Sequence, residues 1–493
     1  MRVVGGLVPT LRAQLPQDRR QAAGARTLPA ARADIQFVVV PLIVVIGAFV
    51  SWLRLPATTS ATLWAEDSRN FLGDVVRHGP FAPAWQIYAG YLHTVPRILA
   101  ALTVTFVPIP QWAHAISAAS CVVVGIVAAA VFVCSRVVTE SWLVRAGLAA
   151  VTVLAPLAPR EVLGNAANLH WYFLWLAPWL ILYRSRSGRG TALLTIIAFL
   201  GALTEVQMLA FVPLMVLRWR TGARLPVRVA ILVGGVFQIA ASLTAPRGHS
   251  GAVANRPAST VYGYAINSAM TIWSGNSHVI GWALVRFGPA APVAALLPVV
   301  LAAVWVFRFG TRDQRWMVTT LLVSSLVLWV VAVKTNPGPY YEYASMTRAR
   351  LATPWLSRYG VVPSMELLAI LVIALGVHRR SPGPARSDDA RVRRTLAPRA
   401  VVGLVLLVCA LVSFVPSATR RSSGPEFAPQ VMAAERSCSG RAVTTPVVLL
   451  SPPHPNWKIT IDCGRLTSRL APGPVRKADP STRASMPVPV APR

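Results

Sequence analysis

The sequence predicts an all-α polytopic membrane protein, on three observations. Its 493 residues are 54% hydrophobic and only 13% charged, with a mean hydropathy of +0.54, a composition that excludes a soluble enzyme. The apolar residues gather in runs that approach or exceed the roughly 17 to 25 residues of a bilayer-crossing helix. The net charge of +31 comes from arginine clusters lying between those runs rather than from one basic domain. It therefore reads as membrane topology and gives nucleic-acid binding no support.

Taken in chain order, residues 1–34 are an Arg-rich cytoplasmic N-terminus. The run 35–53 exceeds a signal-peptide core of roughly 7 to 15 residues, so it reads as a retained anchor. Further clear spans are 112–134, 226–244, 289–307, 316–333, 360–377 and 400–416. Shorter runs at 146–159, 168–183, 191–204 and 206–217 bring the total to about eleven. The last two go out and return, either as two short helices or as a re-entrant pair. Arg184, Arg186 and Arg189, the arginines of 218–228 and 308–315, and those of 379–399 should share the cytoplasmic side with the N-terminus. Parity then holds only if 91–107, interrupted by Pro96 and Arg97, lies in the outer interface instead of crossing. Residues 35–416 thus form a membrane domain of the cell membrane, with the tail 417–493 extracytoplasmic.

The stretch 381–398 has the composition of a flexible cytoplasmic linker. In the tail, β-branched runs at 443–450 and 457–462 predict two strands inside a segment 438–463, followed by disorder from 465. Cys438 and Cys463 flank the strands; on an oxidising side they can close a disulfide, or stand as unpaired thiols. No Cys or His spacing suggests a metal site.

With this sidedness, nearly all membrane-associated polar residues fall outside. Glu66, Asp67 and Asp74 lie in the first outer loop, and Glu161, Asn165, Asn168 and His170 precede or open the span 168–183. Glu205 lies at the out-and-back turn. Segment 245–288 adds Arg247, His249, Asn255, Arg256, Asn267, Asn276 and His278, and segment 335–359 adds Tyr340, Tyr341, Glu342, Tyr343, Arg348, Arg350 and Arg358. Either these line one outward-opening polar cavity, or each is an ordinary solvated loop residue.

The first outer loop is the most informative. Phe71, Leu72, Val75 and Val76 make an apolar stripe at helical spacing, with Gly79 as a C-terminal cap, which predicts an interfacial helix over 67–78. Glu66 and Asp67 open it, as N-cap and dipole partners or as functional acids. Trp64, Trp85, Tyr88, Tyr91 and His93 follow at the same interface, suited to stacking on sugar rings or to anchoring in the headgroup region.

Glu66-Asp67 after a first span, followed by two interfacial helices and many further spans, resembles the GT-C class of membrane glycosyltransferases. The chain also resembles a group of bacterial membrane proteins with an AED…PYAGYLH…R…NLHWY-like pattern, here Ala65-Glu66-Asp67, Tyr88 to His93, Arg97 and Asn168-Leu169-His170-Trp171-Tyr172, with Ile87 in place of the proline. The resemblance implies transfer of a sugar from a polyprenyl-phosphate donor to an envelope glycan or glycoprotein acceptor, with Asp67 as base and Glu66 as its neighbour or substitute. It implies no cofactor, although two adjacent acids can hold a divalent cation. Tyr88, Tyr91, His93, Asn168 and His170 are candidate substrate contacts. Arg97, Arg256, Arg348 and Arg350 are candidates for the leaving phosphate, or for lipid headgroups. The competing classes are a transporter or flippase, and a non-catalytic scaffold acting through its tail.

Overall fold

A computed structural model describes residues 38–246, 254–377, 389–416, 418–452 and 456–468. The N-terminal segment 1–34, Arg247, His249 and the tail beyond 468 lie outside the described residues. Among those described, six helices are long and apolar enough to cross a bilayer: Ile109–Val137, Trp142–Glu161, Leu225–Thr244, Ala290–Phe309, Arg312–Thr335 and Arg358–Leu375. Gly188–Ala202 and Val206–Leu217 form a pair bent by 120°, and Val38–Leu53, Thr94–Phe106, Leu169–Leu182 and Ala400–Val412 are shorter apolar helices. The expected out-and-back excursion over 191–217 is therefore a sharply broken pair.

Several helix starts are written locally. Ser141 and Ser187 accept from Val144 N and Gly190 N, and Thr311 with Gln314 forms a reciprocal capping box. The helix Leu169–Leu182 is buried on every face, which puts it at the centre of the bundle. By contrast Leu225–Thr244 and Ala290–Phe309 expose long apolar faces, including Leu232, Val236, Leu243, Val293, Leu297 and Leu301. Faces of that kind belong in lipid. Helix Val38–Leu53 crosses Ile109–Val137 closely, because a Cβ on Gly125 would stand 2.3 Å from Val44 O.

The loops separate into two ends. At one end the arginine-bearing loops meet: Arg186 pairs with Glu140 at 3.1 Å, Arg218 pairs with Asp313, and Gln314 donates to Val138 O at 2.8 Å. At the other, Arg54 gathers the end of the first helix with Val153 O, Ala155 O, Ser413 O and Phe414 O. Thr94–Phe106 keeps both termini at this second end. Thr94 N donates to Leu203 O at 3.3 Å, and Val107 O accepts from Trp112 Nε1 at 3.0 Å. Its Val95, Ala100, Thr103 and Val104 face inward while Ile98, Leu102 and Phe106 are exposed, the one-sided burial of a helix lying along a surface.

Of the expected linker, 381–388 lies outside the described residues and the rest needs correcting, since helix Asp389–Val412 begins well before the apolar run. A helix once nucleated extends through residues of good propensity, and Ala, Leu and Arg dominate 390–397. The two strands are present at Pro446–Leu450 and Lys458–Asp462, antiparallel with Val448 opposite Thr460. The first is shorter than expected, because 443–445 turn toward Cys463 and Gly464 instead. Cys438 and Cys463 form a disulfide, Cα to Cα 5.4 Å. The tail is docked on the first loop: Phe427 N donates to Ala61 O, the Phe427 ring stacks on Trp112, and Arg465 Nη1 donates to Val76 O at 3.2 Å.

Candidate functional site

The predicted helix 67–78 forms as a π-helical turn, Asp67–Leu72, continued by an α-helix, Gly73–His78. Phe71, Leu72 and Val75 are buried as the stripe requires. Wide π turns concentrate at functional positions. Here Asp67 and Glu66 enter different surroundings.

Asp67 is 1% exposed and does not cap its helix. Its carboxylate reaches a hundred residues along the chain, accepting Ala166 N at 3.1 Å on Oδ2 and Ala167 N at 2.7 Å on Oδ1. The loop presenting those amides is shaped by Gly164 at φ +72, where a side chain would also strike Leu55. Asn165 and Asn168 stitch it: Asn168 N donates to Asn165 Oδ1 at 2.9 Å, and both amide side chains donate to Glu161 O. Asn168 is thus spent on the loop. Burial pushes the Asp67 carboxyl up to about 7, against the pull of the two amides and of Arg421. Arg421 is itself buried, donating to Thr62 O, Ser117 Oγ and Leu163 O, and burial lowers it only to about 10, so it stays charged beside Asp67.

Glu66 is half-buried, and its Oε2 is enclosed without a hydrogen-bond partner. Its charge acts on Tyr88 and on Arg358, and burial together with that charge raises the Tyr88 phenol to about 12. Tyr88 and Tyr91 bond to each other across a tight turn in which Ala89 (φ 52) and Gly90 (φ 85) are both left-handed. A left-handed alanine is strained backbone, and strain of this kind collects at functional sites. The turn sets both tyrosine rings against His93, at 5.6 and 4.0 Å between centroids. His93 continues to His170 (6.5 Å), Trp171 follows (4.4 Å), then Tyr359 (5.6 Å). Burial, with the charges of His170 and Arg97, drops His93 well below its ordinary range, so the ring is neutral. His170 pairs with Glu205. His93 Nδ1 and Trp171 Nε1 are, like Glu66 Oε2, buried and unpartnered. The string thus sets its rings beside buried donors and acceptors that the fold leaves unfilled.

The structure therefore joins Glu66, Tyr88, Tyr91, His93 and His170, with Asp67 and Asn168 behind them. It sets other candidates apart. Arg97 is buried in a 3.0 Å ion pair with Asp74 and lies over Phe71, a use that fastens the two interfacial helices together. Arg256, Arg348 and Arg350 are exposed, and Arg256 serves Glu342 through its backbone N–H. Among the described residues no three acidic, histidine or cysteine side chains cluster as a cation site.

No family model, curated protein or solved structure matches the chain.

Sequence reasoning grouped Arg358 only with the outer polar residues and missed Arg420 and Arg421 altogether. Arg358 pairs with Glu161 at 2.8 Å, Arg420 lies 3.8 Å from the same carboxylate, and the Arg420 guanidinium stacks 3.3 Å from the Trp355 ring centroid. A signal was present: Arg420-Arg421 is an adjacent basic pair just after the last apolar run.

Proposed function

We propose that the protein is a GT-C-like membrane glycosyltransferase, moving a sugar from a polyprenyl-phosphate donor to an envelope glycan or glycoprotein at the outer face of the cell membrane. In this reading the shorter helices and both arms of the broken pair complete about eleven membrane segments. The Arg-clustered end and the N-terminus face the cytoplasm, and the end bearing Glu66 faces out.

The observation that carries the proposal is the enclosed, unpartnered Glu66 Oε2 at the edge of the ring string, beside Arg358. It moves the choice of base from Asp67 to Glu66. Asp67 holds two backbone amides and is a positioning residue, whereas Glu66 has an oxygen to spare for an acceptor hydroxyl. In the transfer, the acceptor oxygen bonds to the anomeric carbon and its proton passes to Glu66. The bond from that carbon to the phosphate oxygen breaks, and polyprenyl phosphate leaves with the electron pair. The neutral His93 and the Tyr88, Tyr91 and Trp171 rings orient the sugars. His170, held by Glu205, closes the row.

Glu66→Gln removes the proton acceptor without changing shape. Purified Glu66→Gln protein, folded by its melting profile, should transfer label from a polyprenyl-phosphate sugar at least ~100-fold more slowly; an unchanged rate rejects Glu66 as base. One observation favours a transporter as second reading: Glu366 is fully buried inside Arg358–Leu375, bonded by Ser324, and buried acids in spans mark ion or proton paths. Substrate flux in proteoliposomes lost in Glu366→Gln, with no sugar transfer, would select it.

A further inference from the structure

We infer that the cavity between Arg160 and Arg420 binds a phosphate ester, and that the segment following the last membrane helix supplies most of that site. The cavity holds about 410 Å³ and is lined by Arg160, Ala418, Thr419, Arg420, Ser422 and Ser423, a size suited to a small ligand group. Three guanidinium groups, those of Arg160, Arg358 and Arg420, act on the single carboxylate of Glu161, which leaves positive charge over. Arg160 Nε and Arg420 Nε and Nη2 are buried with no hydrogen-bond partner. Unfilled guanidinium donors enclosed beside a cavity are unfavourable, and a phosphate seated against these two side chains would present oxygens to their planar fork.

The segment is held in place from several sides. Arg420 N donates to Arg160 O at 2.9 Å, Thr419 and Thr59 hydroxyls bond at 2.6 Å, and Arg421 is buried beside Asp67. Trp355 fixes the plane of the Arg420 guanidinium. The chain thus delivers adjacent arginines to two tasks, Arg421 to the carboxylate behind the helix 67–78 and Arg420 to the cavity. Arg358 pairs with Glu161 in this cluster while feeling the charge of Glu66, so a phosphate here lies next to the carboxylate of the ring string. That the phosphate belongs to a lipid-linked sugar rests on the transfer reading; the phosphate chemistry does not.

The test uses the full-length protein in a phosphate-free detergent, titrated separately with a polyprenyl monophosphate, inorganic phosphate and the uncharged polyprenol. Binding is read by tryptophan fluorescence, to which Trp355 beneath Arg420 should respond. Saturable binding of polyprenyl monophosphate but not polyprenol is expected, weakened ~10-fold or more in both Arg420→Gln and Arg160→Gln. Inorganic phosphate binding as tightly as the lipid identifies a free phosphate as the ligand; lipid binding far more tightly identifies the lipid. Undiminished phosphate binding in both variants, or none in the unsubstituted protein, overturns the proposal. If Arg420→Gln fails to fold, Arg160→Gln decides. Sugar transfer with an unchanged donor KM in Arg160→Gln and Arg420→Gln would remove this site and leave the glycosyltransferase standing. Arginine-dependent phosphate binding without transfer would do the reverse.

Discussion

Asp67→Asn should change how stability responds to pH, and the structure gives both sign and size. Asp67 is 1% exposed and its carboxyl is raised from 3.8 to about 7, chiefly by burial. Between those values the folded protein keeps a proton that the unfolded chain has released. The native state then binds more protons, so stability is fully present below the unfolded value and is lost as pH rises toward 7. The slope is slightly more than ~1 kcal/mol per pH unit, or roughly 4 kcal/mol over the window. Asparagine has no such proton, and its stability lacks the slope. It also turns an amide toward one of the two N–H donors of Ala166 and Ala167, which costs about 1 to 3 kcal/mol at every pH. The variant should therefore melt below the unsubstituted protein near pH 5 and gain on it steadily toward pH 7, with no further change above. Fluorescence-monitored melting in detergent at half-unit steps would show this. Parallel melting temperatures across the range would refute the buried-carboxylate reasoning.

Arg421→Gln should lower stability by about 1 to 3 kcal/mol, because Thr62 O, Ser117 and Leu163 O lose their donor; a melting temperature within error of the parent would contradict it. Replacing Cys438 and Cys463 by serine should loosen the tail by about 2 to 4 kcal/mol, seen as faster hydrogen exchange over 427–467 with the membrane helices unchanged. Gly125→Val should fail to accumulate as folded protein, since its side chain meets Val44 O and Ala48 N; normal yield and melting would disprove the close crossing.

The helices were legible wherever one run of residues decided them. Burial of the 14 residues of Leu169–Leu182 and the apolar faces of Leu225–Thr244 follow from predominantly apolar sequence. The stripe Phe71, Leu72 and Val75 marked the first-loop helix for the same reason. Among the described residues, the six qualifying helices are fewer than the about eleven segments counted from composition, because the remaining apolar helices are short or broken, and hydropathy does not distinguish a short buried helix from a spanning one. Strand pairing and the Cys438–Cys463 bridge were readable from flanking positions.

The candidate site was legible only in part. Glu66, Asp67, Tyr88, Tyr91 and His93 are close in sequence and could be read as a group. The division of labour between the two acids could not, since it depends on amides at Ala166 and Ala167. Arg97 looked available because its partner Asp74 is 23 residues away. Arg421 joins the site across more than 350 residues of chain, and Arg420 reaches Glu161 across more than 250, a closure that no local pattern announces.

The central claim is that the carboxylate of Glu66 drives sugar transfer from a lipid carrier. The most direct measurement is paired mass spectrometry of envelope glycans and polyprenyl-phosphate sugars in cells carrying only the Glu66→Gln protein. One glycan component should disappear while its lipid-linked sugar accumulates. Unaltered glycans with an unaltered lipid-linked pool, from a folded and membrane-inserted variant, would contradict the account.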